Sequence, residues 1–304
     1  MRQPAYPGYL ADPFALRILP GYACYGTGPS SGDRVFEVLE SSDMQDWTSR
    51  GHALRRPSEA LGDEYWAPEV AFADGQYWMY YSVGHGIAGH HLRVARSDSP
   101  FGPFDDLGID LTPDERFAID PHPFRDDDGT WSLFFARDVL DDPRPGTHLA
   151  AVRLESMTAT AGDVQEVLSP SADWQIYERD RRMYDAIYDW HTLEGPSVVK
   201  RGGRYWLTYS GGAWTGAGYG VSWAVADTLD GPWQPAPPDA PLLLQTAPDD
   251  LLGPGHNSLT TAPDGSDVIV FHAWNADGTA RQMHVEPIEF TPDGPRLGSA
   301  SGRP

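Results

Sequence analysis

A single cysteine, Cys24, occurs in the 304 residues, so no intrachain disulfide can form and a thiolate metal cluster is not expected. Cys24 reads as a small, buried apolar residue. Positive charge is scarce as well: 22 Lys and Arg stand against 44 Asp and Glu, a formal net charge of −22. A surface of that sign repels nucleic acid and anionic membranes, and neither is expected as a partner. A neutral ligand such as a sugar is compatible with it. No apolar run approaches the roughly 20 residues that cross a bilayer. The N-terminus, Met1-Arg2-Gln3-Pro4-Ala5-Tyr6-Pro7-Gly8, lacks the apolar core of a signal peptide. That predicts a cytoplasmic protein, or a secreted one if a leader has been removed. Helical periodicity is missing over any long stretch.

What the chain does have is turns and aromatics: 32 Gly, 28 Pro and 12% Phe, Trp and Tyr. That mixture fits many short strands joined by tight turns. An internal repeat is visible. Gly75-Gln76-Tyr77-Trp78-Met79-Tyr80-Tyr81-Ser82 matches Gly203-Arg204-Tyr205-Trp206-Leu207-Thr208-Tyr209-Ser210, and Ala67-Pro68-Glu69-Val70 lies where Gly195-Pro196-Ser197-Val198 lies. Looser copies follow Asp120 and His256, and the first unit, from Asp12, is the most divergent. Units thus start near residues 12, 66, 120, 194 and 253. Spacings of that order suit four-stranded blades. The pairs Asp74-Gly75, Asp128-Gly129, Asp264-Gly265 and Asp293-Gly294 are hairpin-turn signals. The expectation is an all-β, five-bladed β-propeller, with four-stranded antiparallel blades around a central channel and a single catalytic domain over 1–304. The charged run from Tyr177 to Asp185 reads as a loop at the rim, with a lid over the site as the sharper alternative. His85, His90 and His91 read as a polar loop, because no third zinc ligand stands at a usual spacing. Trp78 and Trp206 read as packing residues.

Three acids open three of the units: Asp12 in Ala11-Asp12-Pro13-Phe14, Asp120 in Ile119-Asp120-Pro121-His122, and Glu194 in Leu193-Glu194-Gly195-Pro196. In a propeller, matching positions at the start of the innermost strands converge on one mouth of the channel. The three acids are expected at the same position of the first, third and fourth blades. Glycoside hydrolysis needs one carboxyl group to protonate the leaving oxygen and another to activate water or attack the sugar. A third carboxylate can raise the pKa of the acid and hold it in place. Taken singly, an Asp before Pro is as readily a turn or a cap; the joint pattern carries the signal.

The set Ala11-Asp12-Pro13, Trp66-Ala67-Pro68-Glu69-Val70, Asp120-Pro121-His122-Pro123-Phe124, Glu194-Gly195-Pro196 and Gly255-His256-Asn257-Ser258 resembles glycoside hydrolase family 43. The resemblance runs from about Tyr9 to Arg296. It implies an inverting mechanism, with Asp12 as general base, Glu194 as general acid, and Asp120 tuning and orienting Glu194. It also implies that His256 faces the channel near a bound calcium, although calcium prefers oxygen ligands. Arg281 matches a family position that reaches a sugar hydroxyl. Phe14 and Trp66 are expected as aromatic sugar contacts, beside Arg281 and His256. The run from Gly253 to Ser258 and the strand from Tyr205 to Gly212 look most like exo-acting α-L-arabinofuranosidases and arabinanases. The chain ends soon after the fifth unit, which weighs against a β-xylosidase with an appended module. An exo-α-L-arabinofuranosidase acting on arabinose- or xylose-containing oligosaccharides is therefore expected, with β-xylosidase or endo-arabinanase as alternatives. A carbohydrate-binding propeller without activity is the reading from another class; a protein scaffold would not need inner-strand acids.

Overall fold

The structure is a computed structural model and describes residues 1–298. Its architecture is the expected all-β propeller. Blade 1 is β1 (Ala11–Arg17), β2 (Tyr22–Thr27), β3 (Arg34–Ser41) and β4 (Thr48–Arg55). Blade 2 is β5 (Glu64–Ala73), β6 (Gln76–His85), β7 (Ala88–Ser97) and β8 (Asp105–Asp110). Blade 3 is β9 (Ala118–Arg125), β10 (Trp131–Val139), β11 (Gly146–Ser156) and β12 (Ala159–Leu168). Blade 4 is β14 (Ala186–Arg201), β15 (Arg204–Gly211), β16 (Gly220–Ala226) and β17 (Gln234–Pro235), with β13 (Ile176–Met183) added on the early half of β14. Blade 5 is β18 (Leu252–Thr261), β19 (Asp267–Trp274), β20 (Arg281–Thr291) and β21 (Gly294–Leu297). Within each blade, neighbouring strands are antiparallel; β11 and β14 join blades 3 and 4 by a short parallel pairing, Gly146 to His191 and Thr147 to Thr192.

The second strand of each blade is apolar on both faces because each blade is sandwiched between two others. Cys24 packs toward blade 5 and Tyr25 toward blade 2. Tyr81 packs toward blade 1 and Tyr80 toward blade 3. Phe135 packs toward blade 2 and Phe134 toward blade 4. Double-sided burial turns the usual alternation into near-continuous apolar runs, the pattern visible in the sequence. The ring closes where Val268 and Val270 of blade 5 meet Ala15 and Tyr22 of blade 1. The N-terminal segment reinforces this closure: Ala5 N donates to Met283 O at 2.8 Å and Leu10 N to Arg281 O at 2.9 Å.

Two local expectations change. The charged run after Tyr177 is a strand and not an irregular loop: β13 and β14 form a hairpin arm turned at Tyr184 and Asp185. Both turn residues have positive φ, 49° and 62°, as a two-residue hairpin turn demands. One face of the arm is half-buried, with Met183, Ala186 and Tyr188 leading to the buried Trp190 and Arg181 lying over the Tyr177 and Trp190 rings; the other, with Glu178, Arg182 and Asp189, is exposed and carries charges. The segment from His85 to His91 likewise ends β6 and begins β7. His90 there is buried, its ring stacked on Trp66 with centroids 3.7 Å apart.

Every innermost strand carries a β-bulge near its start, at Ala11/Phe14, Trp66/Glu69, opposite Phe134/Ala136, Glu194/Ser197 and Gly255/Ser258. At each bulge one residue has positive φ: Asp12 (51°), Ala67 (47°), Asp120 (60°), Gly195 (58°) and His256 (45°). This corrects the register read from the sequence. Asp12 and Asp120 are equivalent, but their counterpart in blade 4 is Gly195. Glu194 stands one residue earlier, pairing with Ser210 as Trp66 pairs with Ser82 and Ala11 with Thr27. A bulge re-aims consecutive side chains, so acids from both positions reach the same space. Four of the bulge N–H groups are satisfied across the blade boundary. Asp12 N donates to His272 Nδ1 (3.0 Å), Ala67 N to Thr27 Oγ1 (2.8 Å), Gly195 N to Asp120 Oδ2 (2.9 Å) and His256 N to Ser210 Oγ (2.7 Å).

Candidate active site

The bulges surround one end of the channel, where a cavity of about 710 Å³ opens. Asp12, Asp120, Glu194, His256 and Arg281 line its depth, and Tyr9, Trp66, Tyr177 and Trp214 are among its walls. The structure thus brings together all the expected site residues but one. Phe14 packs with the core between blades 1 and 2 and does not line the cavity. Its position two residues past Asp12, beyond the bulge, turns it into the blade interface.

Asp12 is buried and faces three nitrogen-bearing side chains. Arg281 Nη1 donates to its Oδ1 at 3.3 Å, and the Nδ1 atoms of His256 and His272 each lie 3.4 Å from that oxygen. Burial works to raise this carboxyl, but His256, Arg281 and His272 outweigh it and hold Asp12 well below the usual carboxylate range. His272 accepts the Asp12 N–H on Nδ1, so its neutral ring carries the hydrogen on Nε2 and presents a lone pair on the Asp12 side. Burial also depresses the pKa of both imidazoles. Near pH 7 the lasting counter-charge is therefore Arg281. Its guanidinium is held by the Tyr9 hydroxyl (3.1 and 3.2 Å) and lies 4.5 Å from the Trp214 ring centre.

Glu194 and Asp120 behave in the opposite way. Burial is the largest influence on each, and both are pushed up, Glu194 to about 7 and Asp120 well above its ordinary range. Asp120 is raised further by Glu194 and Asp12. Two neighbouring, largely buried carboxyl groups cannot both ionise cheaply, so the pair retains a proton near neutrality and titrates as a unit. Asp120 Oδ2 accepts the N–H of Gly195 at 2.9 Å, which pins the peptide that follows Glu194. The Glu194 carboxyl is itself held by the Tyr219 hydroxyl, 2.5 Å from Oε1. A Cβ at Gly195 would press on the His256 ring at 3.1 Å, so any side chain there would push that imidazole aside. The arrangement joins one ionised carboxylate to a carboxyl pair holding a proton.

The residues around His256 fit a calcium ion poorly. One imidazole reaches the site, its Nδ1 occupied by Asp12 and, at 3.9 Å, Asp120. Among the described residues no cluster of three or more His, Cys, Asp or Glu is arranged to hold a metal. Calcium takes six to eight oxygens, which here would come from water.

Sequence reasoning missed Tyr9, Tyr177, Trp214, Tyr219 and His272. Trp214 and Tyr219 follow the Gly211-Gly212 pair after the repeat-matched strand β15, and that break was the available signal. Nothing in the local sequence marks Tyr9 or His272. Trp66, which was expected, presents its ring to the cavity while His90 covers its other face and Glu64 Oε2 accepts its Nε1–H at 3.2 Å.

The sequence profile of the family described as Glycosyl hydrolases family 43 matches residues 1–295. A β-D-galactofuranosidase of Aspergillus niger is 31% identical over 309 residues, covering 94% of this chain and 80% of that protein. An extracellular exo-α-(1→5)-L-arabinofuranosidase of Streptomyces avermitilis is 25% identical over 324 residues, covering 92% of this chain and 64% of that protein. The crystal structure of a thermostable family-43 glycoside hydrolase superposes with a TM-score of 0.84 at 29% identity, over 97% of this chain and 95% of that one. No helix among the described residues is long and apolar enough to cross a membrane.

Proposed function

Since this chain belongs to glycosyl hydrolases family 43, and is thus a glycosidase, we propose that it releases terminal α-L-arabinofuranose from plant polysaccharide fragments with inversion. The observation that carries this reading is the opposed surroundings of two acids in one cavity: Asp12 Oδ1 faces Arg281 Nη1 at 3.3 Å, which favours its anion, whereas Glu194 is buried with the Tyr219 hydroxyl 2.5 Å from Oε1, and burial pushes its pKa up to about 7. Asp12 takes a proton from a water molecule as the water's oxygen bonds to the anomeric carbon. Glu194 gives its proton to the glycosidic oxygen as the bond from that oxygen to the anomeric carbon breaks. Asp12 ends protonated and Glu194 ends as the anion; exchange with solvent resets both. Asp120 acts on Glu194 through charge and through the Gly195 peptide. Arg281, Tyr9, Trp66 and Trp214 supply hydroxyl partners and apolar ring faces to the sugar, as suits a neutral ligand with C–H faces. A calcium ion beside His256, held largely by water, stays a proposal of this reading, and no step runs through it.

The 31% identity to a β-D-galactofuranosidase favours one further reading, a furanosidase that accepts that sugar too. α-L-Arabinofuranose and β-D-galactofuranose share the configuration of their ring carbons and differ in the chain beyond the ring. Hydrolysis of 4-nitrophenyl α-L-arabinofuranoside, β-D-galactofuranoside and β-D-xyloside, with linear arabino-oligosaccharides, separates these readings from β-xylosidase and endo-arabinanase. Arabinose release from the non-reducing end is expected. No release from any arabinosyl substrate overturns the first reading.

A further inference from the structure

Tyr219 is buried at 1% exposure in the segment entering β16, behind the cavity wall, and its hydroxyl donates to Glu194 Oε1 at 2.5 Å. Its ring lies nearly parallel to that of His272, with planes 12° apart and centroids at 5.9 Å. His272 is fully buried and accepts the Asp12 N–H on Nδ1. One stacked Tyr–His unit therefore touches the side chain of one acid and the backbone of the other, and it spans blades 4 and 5. The Gly253-Pro254-Gly255-His256 run supplies the space: a Cβ at position 255 would run into the Tyr219 ring. A glycine in strand β18 is thus required by an aromatic side chain of the neighbouring blade, and the same strand then delivers His256.

We propose that Tyr219 is a positioning residue for proton delivery, holding Oε1 of Glu194 so that Oε2 carries the proton to the leaving group, and that Gly255 and His272 exist in this fold to seat it. This rests on reading Glu194 as the general acid. The phenol stays a donor throughout the working pH range, because burial first, and then Glu194, raise it well above its ordinary pKa. A hydroxyl fixed on one carboxyl oxygen removes the alternative rotamer and proton position. What it contributes to catalysis is then specific to proton donation, not to sugar binding.

The test compares leaving groups. 4-Nitrophenolate departs with little need of a proton, whereas the sugar alcohol of an arabino-oligosaccharide needs one. Tyr219→Phe keeps the ring, its stack and the fold. It is expected to lower kcat on linear arabino-oligosaccharides by about tenfold or more, a fraction of the 10²–10⁴ carried by a general acid. On the 4-nitrophenyl glycoside it should change kcat by less than about threefold, with KM unchanged on both. Gly255→Ala, which displaces the ring, should give the same split. Glu194→Gln serves as the control and should show the split in larger form. Equal losses on both substrates, or no loss, for Tyr219→Phe while Glu194→Gln keeps the split overturn the role of Tyr219 alone. Absence of the split in Glu194→Gln overturns the acid assignment itself. Should the enzyme prove a xylosidase, the xylosyl pair of substrates takes the place of the arabinosyl pair.

Discussion

Replacing Glu194 by Gln removes a proton-binding group that burial has raised from the ordinary 4.5 of a glutamate to about 7. In the unfolded chain that carboxyl releases its proton near 4.5; in the native protein it keeps it until about 7. Between these values the native state binds more protons than the unfolded state, so stability must fall as pH rises through the window. A displacement of this size corresponds to roughly 3 kcal/mol at most, since the cavity-facing edge of Glu194 meets water. Gln cannot ionise. Without a neighbouring anion, Asp120 also becomes easier to ionise, which flattens the curve further. The assay is urea unfolding of both proteins at intervals from pH 4.5 to 7.5. The stability of Glu194→Gln relative to wild type should climb across the window by roughly 2–3 kcal/mol, a relative gain in Tm on the order of 5 °C. Because only the difference is read, titration of groups that do not interact with Glu194 cancels, and what remains is Glu194 together with its coupled neighbour Asp120. A difference that stays flat with pH refutes the claim that the Glu194 pKa is raised in the fold, and with it the argument that this group stores the catalytic proton.

The same groups set the pH–rate profile. kcat/KM is expected to fall above about 7 as Glu194 ionises, with no acid limb until well below the ordinary carboxylate range because His256, Arg281 and His272 together keep Asp12 charged against burial; a bell with an acid limb near pH 5 contradicts this. Asp12→Asn should reduce kcat by about 10²–10⁴-fold. It should also destabilise the protein near pH 7 by roughly 3 kcal/mol, because Arg281 is left buried and unpaired. The sign here is opposite to that of Glu194: the depressed pKa of Asp12 stabilises above the unfolded value and is lost as pH falls through the folded one, so the Asn variant should approach wild type at low pH in urea melts. Proton NMR of the first-formed sugar should show the inverted anomer; retention excludes Asp12 as a base on water. Phe135→Ala, in the core between blades 2 and 3, should cost about 3–5 kcal/mol in the same unfolding assay, and a cost below 1 kcal/mol argues against tight packing of those blades.

The repeat around Tyr77 to Ser82 and Tyr205 to Ser210, the Asp-Gly turns and the spacing of unit starts were enough to specify blades, because strand formation and tight turns depend on neighbours within a few residues. At Asp74 and Gly75, for example, φ values of 54° and 78° are those of the hairpin turn that the pair signals. The acids were also legible, as carboxylates repeated before Gly or Pro at strand starts. The arm was not, since its half-buried face is filled in part by Arg181 over the Tyr177 and Trp190 rings, and a charged residue in that place breaks the apolar alternation that marks a strand. Nor was the one-residue offset of Glu194. It comes from bulges whose N–H groups are satisfied by side chains of adjacent blades, such as His272 for Asp12, a partner 260 residues away.

Sequence by itself therefore determined the architecture, the repeat number and the identity of the acids, all properties of local pattern. Tertiary structure alone decided how those acids differ. His256, Arg281 and His272, all from the far end of the chain, keep Asp12 an anion. Burial at the ring centre makes Asp120 and Glu194 proton holders, and Tyr219 orients the proton. Electrostatic character belongs to what surrounds a carboxyl group, and in a ring of blades those surroundings arrive from every part of the chain.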